Sequence, residues 1–241
     1  MQQPFTPLAF WSHGDAITQS IAIILLLLSV ASWYLIVVKT VAQIRLRTAA
    51  EKSVDAFWNA QTVGQALDAS RAADSSGLFA AIAATATQAA QIHVQRATKS
   101  VGAGVSASEF ITRALRQRLT RSKARIDRGL VFLASVGATA PFIGLLGTVW
   151  GIYHALIGLT GQTQVVLDKV AGPVGETLVM TAAGLFVAIP AVLAYNAFSR
   201  ANGLILAEMD GFAHDLHAYF TTGETVRMGQ VTQVAAKPAT A

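Results

Sequence analysis

The sequence lacks the residue types that several common kinds of functional site require. Its 241 residues include no cysteine, which excludes a disulfide scaffold, thiolate zinc sites, iron–sulfur ligation and a cysteine nucleophile. Only 13% of the residues are charged, about half of the roughly 25% that soluble domains carry. We find no Ser–His–Asp arrangement, Walker loop or carboxylate pair in the sequence. We therefore expect neither a soluble enzyme nor a cofactor or metal.

Three long stretches are almost free of charge. Segment 16–38 and segment 129–167 contain no charged residue, and segment 172–199 contains only Glu176. A helix of about 23 residues spans about 34 Å, which is enough for the hydrocarbon core of a bilayer. We therefore predict transmembrane helices at 16–38, 129–156 and 172–199. A cleaved signal peptide would need a basic region before the first stretch, but the first basic residue is Lys39.

The distribution of lysine and arginine predicts the orientation of these helices. Segment 39–128 carries 14 of the 18 basic residues, and cytoplasmic segments are the ones enriched in basic residues. We expect 39–128 and 200–241 to be cytoplasmic, and 1–15 and 157–171 to lie outside. The net charge of +5 is then mainly a signal of topology.

The cytoplasmic segments have a helical composition. Residues 74–77 (Asp-Ser-Ser-Gly) are typical of a turn inside a helical hairpin. Ser106 followed by Glu109 fits a capping box that begins a new helix. No helix breaker is evident over 110–136, so we expect one long helix that runs from the cytoplasm into the second span. A separate helix and a tail are expected in 200–241. The predicted fold is an all-α integral membrane protein with three transmembrane helices and long cytoplasmic helical extensions.

A cluster of basic residues precedes the second span. At 100° per residue the side chains of this cluster point all round the helix and form no single stripe. We interpret them as a solvated stem near anionic phospholipid headgroups and expect no binding of nucleic acid. The cluster consists of Arg113, Arg116, Arg118, Arg121, Lys123, Arg125 and Arg128.

The second and third spans each carry small residues on one face. Small residues let helix backbones approach closely within a membrane, and close packing alone would explain them. Glu176 is harder to explain, because a charge inside a membrane helix costs at least ~2.5 kcal/mol. It should face a protein interior or a water-filled cavity, unless it lies at the outer headgroups. The small faces comprise Gly137, Ala140, Pro141, Gly144, Gly147, Thr148 and Gly151 in the second span, and Glu176, Thr177, Thr181, Ala183, Gly184, Ala188, Ala191 and Ala194 in the third.

These faces carry long motifs. They are ATAPFIGLLGTVWGI at 138–152, GPVGETL at 172–178, TAAGL at 181–185, AIPA at 188–191 and YN at 195–196. In these motifs the chain resembles the ExbB/TolQ/MotA family of proton-channel motor subunits, most closely its ExbB branch. The TolQ branch carries the same motifs, so a TolQ-type role in envelope maintenance stays open beside a non-conducting scaffold.

The resemblance implies a function in the bacterial inner membrane, with a periplasmic N-terminus and a cytoplasmic C-terminus. It implies a homo-pentamer with an ExbD-like dimer inside its pore and a TonB-like protein associated with it. The proton-motive force would then power outer-membrane uptake of siderophores and similar nutrients. The resemblance implies that Thr148, Glu176 and Thr181 line the pore and that Asn196 is a functional polar residue at its inner end. From the small faces we also expect Thr177 to line the pore, and we expect helix packing at Gly137, Ala140, Pro141, Gly144, Gly147, Gly151, Gly184 and Pro190.

Overall fold

The computed structural model describes residues 15–97, 106–158 and 168–223. The regular structure within these ranges is helical. Its six helices are α1 (Ala16–Trp58), α2 (Val63–Ala73), α3 (Leu78–Ala97), α4 (Ala107–Ile126), α5 (Leu130–Ile157) and α6 (Asp168–Thr222).

The turn expected at 74–77 separates α2 from α3. The Asp74 carboxylate accepts hydrogen bonds from the backbone N–H groups of Gly77 and Ala80, both at 2.9 Å. Gly77 adopts a left-handed backbone conformation with φ 68°, which glycine allows at no steric cost. Asp74 thus satisfies N–H groups at the start of α3 that have no partner within that helix.

The prediction of one unbroken helix over 110–136 is wrong. Helix α4 ends at Ile126 and α5 begins at Leu130. Between them Gly129 has φ 85°, and the Leu130 N–H donates to the Asp127 carbonyl at 3.0 Å. A left-handed residue interrupts the helical ladder, and glycine is the residue that adopts this conformation most readily.

Only one of the two hydrogen bonds of the expected capping box is present at the start of α4. The Ser106 hydroxyl accepts a hydrogen bond from the Glu109 N–H at 3.2 Å, as a capping serine should. The Glu109 carboxylate instead forms an ion pair with Arg113 one turn later.

The third apolar stretch continues without a break into the C-terminal segment. Helix α6 runs from Asp168 to Thr222 over 55 residues, so the expectation of a separate helix after Arg200 is wrong. Arg200 changes the polarity of the helix surface, but a charged residue does not break a helix as glycine or proline does.

The chain divides into two compact units. The first unit comprises Met1–Val41 and Asp127–Arg200. Its core contains Leu133, Ala140 and Ala191, which are fully enclosed, together with Ile21 and Leu25 of α1. The helices α1, α5 and α6 therefore share one apolar interior.

The second unit comprises Ala42–Ile126 and Ala201–Ala241. Its core is formed by large apolar side chains that are completely buried, including Phe79, Ile82, Met209 and Leu216. A hydrogen bond between the Ser53 and Ser70 hydroxyls, 2.6 Å apart, joins α1 to α2 inside this unit.

Three helices are long and apolar enough to cross a membrane. They are Ala16–Trp58, Leu130–Ile157 and the stretch Thr177–Thr222 of α6. In the first unit, large apolar side chains lie on the outside: Phe142 and Phe186 are each 71% exposed and Leu26 is 64% exposed. Such a surface is suited to lipid or to neighbouring protein rather than to water.

Candidate functional site

Helices α5 and α6 pack backbone against backbone at two glycines, Gly144 and Gly184. A Cβ atom at Gly184 would lie 2.6 Å from the Ala140 carbonyl oxygen and 3.0 Å from the Gly144 Cα. A Cβ atom at Gly144 would lie 2.6 Å from the Met180 carbonyl oxygen. Because the obstacles are backbone atoms, which cannot rotate away, both positions require glycine for the helices to pack at this distance.

The other small residues of α5 extend this contact in both directions. A Cβ atom at Gly147 would lie 3.1 Å from Met180 Cβ and 3.3 Å from Ile21 Cγ2, so this position faces α1 as well as α6. Gly137 lies against Val192, and Gly151 lies against Thr177. One face of α5 thus packs against α6 over several turns.

A pair of threonine hydroxyls lies beside the glycine crossing. Thr148 of α5, only 6% exposed, forms a hydrogen bond with the Thr181 hydroxyl of α6. The Thr148 Oγ1 atom also lies 3.2 Å from the Gly144 carbonyl oxygen and 3.2 Å from the Thr177 carbonyl oxygen. A hydroxyl has one proton to donate and two lone pairs to accept, so Thr148 can donate to only one of these acceptors at a time. The pair can therefore exchange donor and acceptor roles without moving either helix.

Thr177 and Glu176 lie one turn before Thr181 on α6. The Thr177 hydroxyl donates to the Val174 carbonyl at 2.9 Å, and the Thr177 carbonyl faces Thr148. Glu176 belongs to the same helix, but its side chain lies outside the described residues. The structure thus brings together three of the four residues expected to line a polar path.

The remaining expected positions lie away from this cluster. Asn196 is exposed and lies 15 residues after Thr181, about 22 Å along the helix. Pro141 lies inside α5 and Pro190 inside α6, and both are half-buried. A proline has no N–H to donate, so each leaves a carbonyl one turn earlier without its usual helical donor.

One polar contact of the first unit was not predicted from the sequence. The His154 Nε2 atom lies 3.1 Å from Asp15 Oδ2, and the His154 ring stacks near Trp150 with ring centroids 4.7 Å apart. The two partners are far apart in sequence, but both stand next to ends of predicted spans. The predicted three-span topology places the start of the first span and the end of the second span on the same side of the membrane. The topology could therefore have suggested that Asp15 and His154 lie close together.

Comparison with known proteins identifies the class to which this arrangement belongs. Residues 86–211 match the model of a family described as the MotA/TolQ/ExbB proton channel family. The match includes the whole of α5, both glycines of the crossing and both hydroxyls of the threonine pair. The chain belongs to the MotA/TolQ/ExbB proton channel family. Members of this family are transport and channel subunits rather than enzymes.

Curated relatives agree with this assignment. The chain is 50% identical over 220 residues to the biopolymer transport protein ExbB of Xanthomonas campestris pv. campestris (strain B100), covering 90% of this chain and 87% of the relative. It is 38% identical over 207 residues to ExbB of Neisseria meningitidis (strain Z2491), covering 86% and 93%. It is 43% identical over 110 residues to the Tol-Pal system protein TolQ of Pseudomonas aeruginosa, covering 46% and 48%. With its three apolar helices, the chain is a multi-pass protein of the inner membrane.

Proposed function

We propose that this chain is the ExbB-type subunit of an energiser driven by the proton-motive force. Together with an ExbD-like partner it would power TonB-dependent uptake of siderophores and similar nutrients across the outer membrane. The observation that carries the proposal is the Thr148–Thr181 hydroxyl pair, which lies partly buried between the apolar segments of α5 and α6. Polar side chains inside a membrane are costly and usually mark the pathway of an ion or substrate.

The extent of similarity favours an ExbB-type over a TolQ-type role. The similarity to ExbB of Xanthomonas campestris covers 90% of this chain, whereas the similarity to TolQ of Pseudomonas aeruginosa covers 46%. The match to TolQ supports a shared channel function but covers less than half of this chain. A TolQ-type subunit remains the alternative, and co-purification with ExbD-like or TolR-like partners distinguishes the two.

The proposed proton pathway runs along the small-residue faces of α5 and α6. Glu176 would take up and release the proton, and the hydroxyls of Thr177, Thr181 and Thr148 would position water or relay the proton. Each hydroxyl both donates and accepts a hydrogen bond, so a chain of hydroxyls and water can pass a proton on. Asn196, at the inner end of the predicted span, would contribute to the cytoplasmic mouth.

The proposed assembly is a homo-pentamer with α5 and α6 around a central pore. An ExbD-like dimer would occupy the pore, a TonB-like protein would associate with the ring, and anionic phospholipids would contact its cytoplasmic face. The exposed side chains of Phe142 and Phe186 support burial against lipid or neighbouring subunits, since monomeric proteins rarely expose extended apolar patches to water.

The proposed topology has three spans at 16–38, 129–156 and 172–199. Segments 1–15 and 157–171 would be periplasmic, and segments 39–128 and 200–241 would be cytoplasmic. Reporter fusions at Ala90 and Gln162 test it: we expect a cytoplasmic signal at Ala90 and a periplasmic signal at Gln162. A cytoplasmic signal at Gln162 would contradict the three-span topology.

The function is tested by siderophore-dependent growth of cells that contain only the variant chain. Thr148→Val and Thr181→Val remove hydroxyls at nearly constant volume, and Glu176→Ala removes the carboxyl. We expect all three to lose iron uptake while the amount of subunit, measured by immunoblot, is unchanged. Glu176→Gln shows whether the charge is required.

The matched control is Thr139→Val. Thr139 lies on α5 but is exposed, and its hydroxyl donates to the Ser135 carbonyl of its own helix at 2.8 Å. We expect this variant to grow normally. Normal growth with Glu176→Ala, and with a chain that carries both Thr148→Val and Thr181→Val, would contradict the proton pathway and leave only a scaffold role.

A further inference from the structure

The second unit contains an acidic groove between α1 and α6. It has a volume of about 680 Å³, and its apolar lining includes Val54, Phe79 and Phe212. Five carboxylates also line it, and none of its lining residues is a lysine or an arginine. The carboxylates belong to Glu51, Asp55, Glu208, Asp210 and Asp215.

Within the part of the chain that the structure describes, none of these carboxylates forms an ion pair with a lysine or an arginine. Across the described ranges 15–97, 106–158 and 168–223, the ion pairs join Arg71 to Asp68, Arg113 to Glu109 and His154 to Asp15. None of these pairs lies in the acidic groove. Burial raises the pKa of Asp215, and the nearby His214 opposes this effect. A cation brought from outside would therefore stabilise the ionised groove.

Helix α4 carries a surface with the opposite charge. It turns Ile111, Leu115 and Ile126 inward to the core of the second unit. Relative to Leu115, Ala124 points outward at about 180° and Thr120 at about 140°. Between these two directions, at about 160°, lies Arg113, which is exposed and forms an ion pair with Glu109. The outermost ridge of α4 therefore carries a basic side chain between Thr120 and Ala124.

Two basic flanks border this ridge. Arg116 and Lys123 lie about 80–100° to one side of Leu115, and Arg121 and Arg125 lie about 80–120° to the other. All four side chains are exposed. The ridge and its flanks together carry five basic side chains, and a basic surface of this kind complements a groove that has acidic walls.

The groove of a chain is not filled by its own α4, since no residue of α4 lines it. We propose that the outer face of α4 in one copy of the chain docks into the acidic groove of a second copy. This inference deepens the proposed function and rests on its homo-oligomer. Each copy offers both surfaces, and such a head-to-tail contact closes into a ring when the rotation between copies allows it.

Charge complementarity at this contact mainly determines which surfaces meet, and it contributes less to the affinity. In the proposed pentamer the first unit would supply the apolar contact area, and the α4–groove contact would set the register of neighbouring subunits. The contact should weaken with added salt, because exposed ion pairs are screened within about 8–10 Å at physiological ionic strength.

The absence of cysteine from the chain permits a direct cross-linking test in membranes. Two differently tagged chains, one with Glu208→Cys and one with Arg121→Cys, are co-expressed and treated with a short bismaleimide. We expect a cross-linked product that carries both tags. The matched control replaces Arg121→Cys by Arg71→Cys, an exposed position on α2, and should give no such product. Equal yields for the two combinations, or no product for either, would overturn the proposal.

Charge reversal provides a second arm of the test. Asp55→Lys with Asp210→Lys should slow the cross-linking by about tenfold, because like charges facing each other at an interface are strongly unfavourable. Arg125→Glu with Lys123→Glu in the other chain should restore the rate. Failure of the restoring pair would contradict the contact.

The alternative occupants give different outcomes. If no product with both tags forms and Arg121→Cys instead reacts with an anionic phospholipid that carries a maleimide in the same membrane, α4 binds lipid and the proposal falls. A cross-link within one chain, seen when both cysteines are placed together, would also overturn it. Asp68→Lys, at a carboxylate outside the groove with 80% of its side chain exposed, controls for the change in net charge.

The result is independent of the proposed transport role. If the cross-link fails while Thr148→Val still abolishes siderophore-dependent growth, the docking inference is wrong and the proposed function stands. If the cross-link forms while the threonine and Glu176 variants grow normally, the docking stands and the proposed function is wrong.

Discussion

The glycine crossing gives the sharpest prediction about stability. In Gly184→Ala the new Cβ would lie 2.6 Å from the Ala140 carbonyl oxygen and 3.0 Å from the Gly144 Cα. The first distance is about 0.7–1 Å shorter than the 3.3–3.6 Å of ordinary close carbon–oxygen contacts. The two helices must therefore separate, which also stretches the Thr148–Thr181 hydrogen bond. Overpacking of this kind costs about 1–3 kcal/mol.

A Gly→Ala substitution elsewhere on α6 should have the opposite effect and stabilise the protein. Gly203 has nothing within 4 Å of its added Cβ, so Gly203→Ala should gain about 0.5–1 kcal/mol from the better helix former. Subtracting this gain from the overpacking cost of Gly184→Ala leaves a net loss of about 0–2.5 kcal/mol, with a central value of about 1 kcal/mol.

The assay is thermal unfolding of the purified protein in detergent, followed by tryptophan fluorescence. A change of 1 kcal/mol shifts the Tm of a chain of this length by about 2–4 °C. We expect Gly184→Ala to melt lower and Gly203→Ala to melt higher than the unsubstituted chain. If Gly184→Ala melts at or above the unsubstituted chain, the close backbone approach is wrong.

Three further predictions concern the turns and the second unit. Gly129→Ala should cost about 1–2 kcal/mol, because its φ of 85° is left-handed, whereas Gly158→Ala, at φ −61°, should not; thermal melts that are equal for both would contradict the break between α4 and α5. Asp74→Ala should cost about 2 kcal/mol through loss of the cap on α3, with Asp68→Ala as the exposed control, and chemical unfolding measures both. Asp215, outside the predicted span, has a pKa raised above 3.8 by burial, so its contribution to stability is present below pH 3.8 and is lost as pH rises through the raised value. Asp215→Asn should therefore flatten that part of the stability–pH curve, and an unchanged curve would refute the shift.

The three apolar helices and their small faces could be predicted because their signals are local. An uncharged run of sufficient length predicts a span directly, and the 100° spacing places Gly144, Gly147 and Thr148 on one face. The identity of the contacts on that face could not be predicted, since the pairing of Gly144 with Gly184 depends on the relative register of two helices.

The errors occurred where backbone conformation, rather than composition, decides the structure. Gly129 lies at the boundary between Arg128 and an uncharged run, and its sequence neighbours do not reveal that it adopts a positive φ. Arg200 was interpreted as an end of a helix, although it marks only a change in surface polarity. Asp15 lies directly before α1, and His154 lies in the last turn of α5. Their contact joins residues far apart in sequence, so a local sequence pattern does not predict it.

The most direct test of the proposed pathway is proton flux through the reconstituted complex. The chain and its ExbD-like partner are placed in liposomes that enclose a pH-sensitive dye, and an inward proton gradient is imposed. The pathway predicts that Thr148→Val loses most of the flux while Thr148→Ser, which keeps the hydroxyl, retains it. Equal flux in Thr148→Val and the unsubstituted complex would contradict a proton pathway through the Thr148–Thr181 pair.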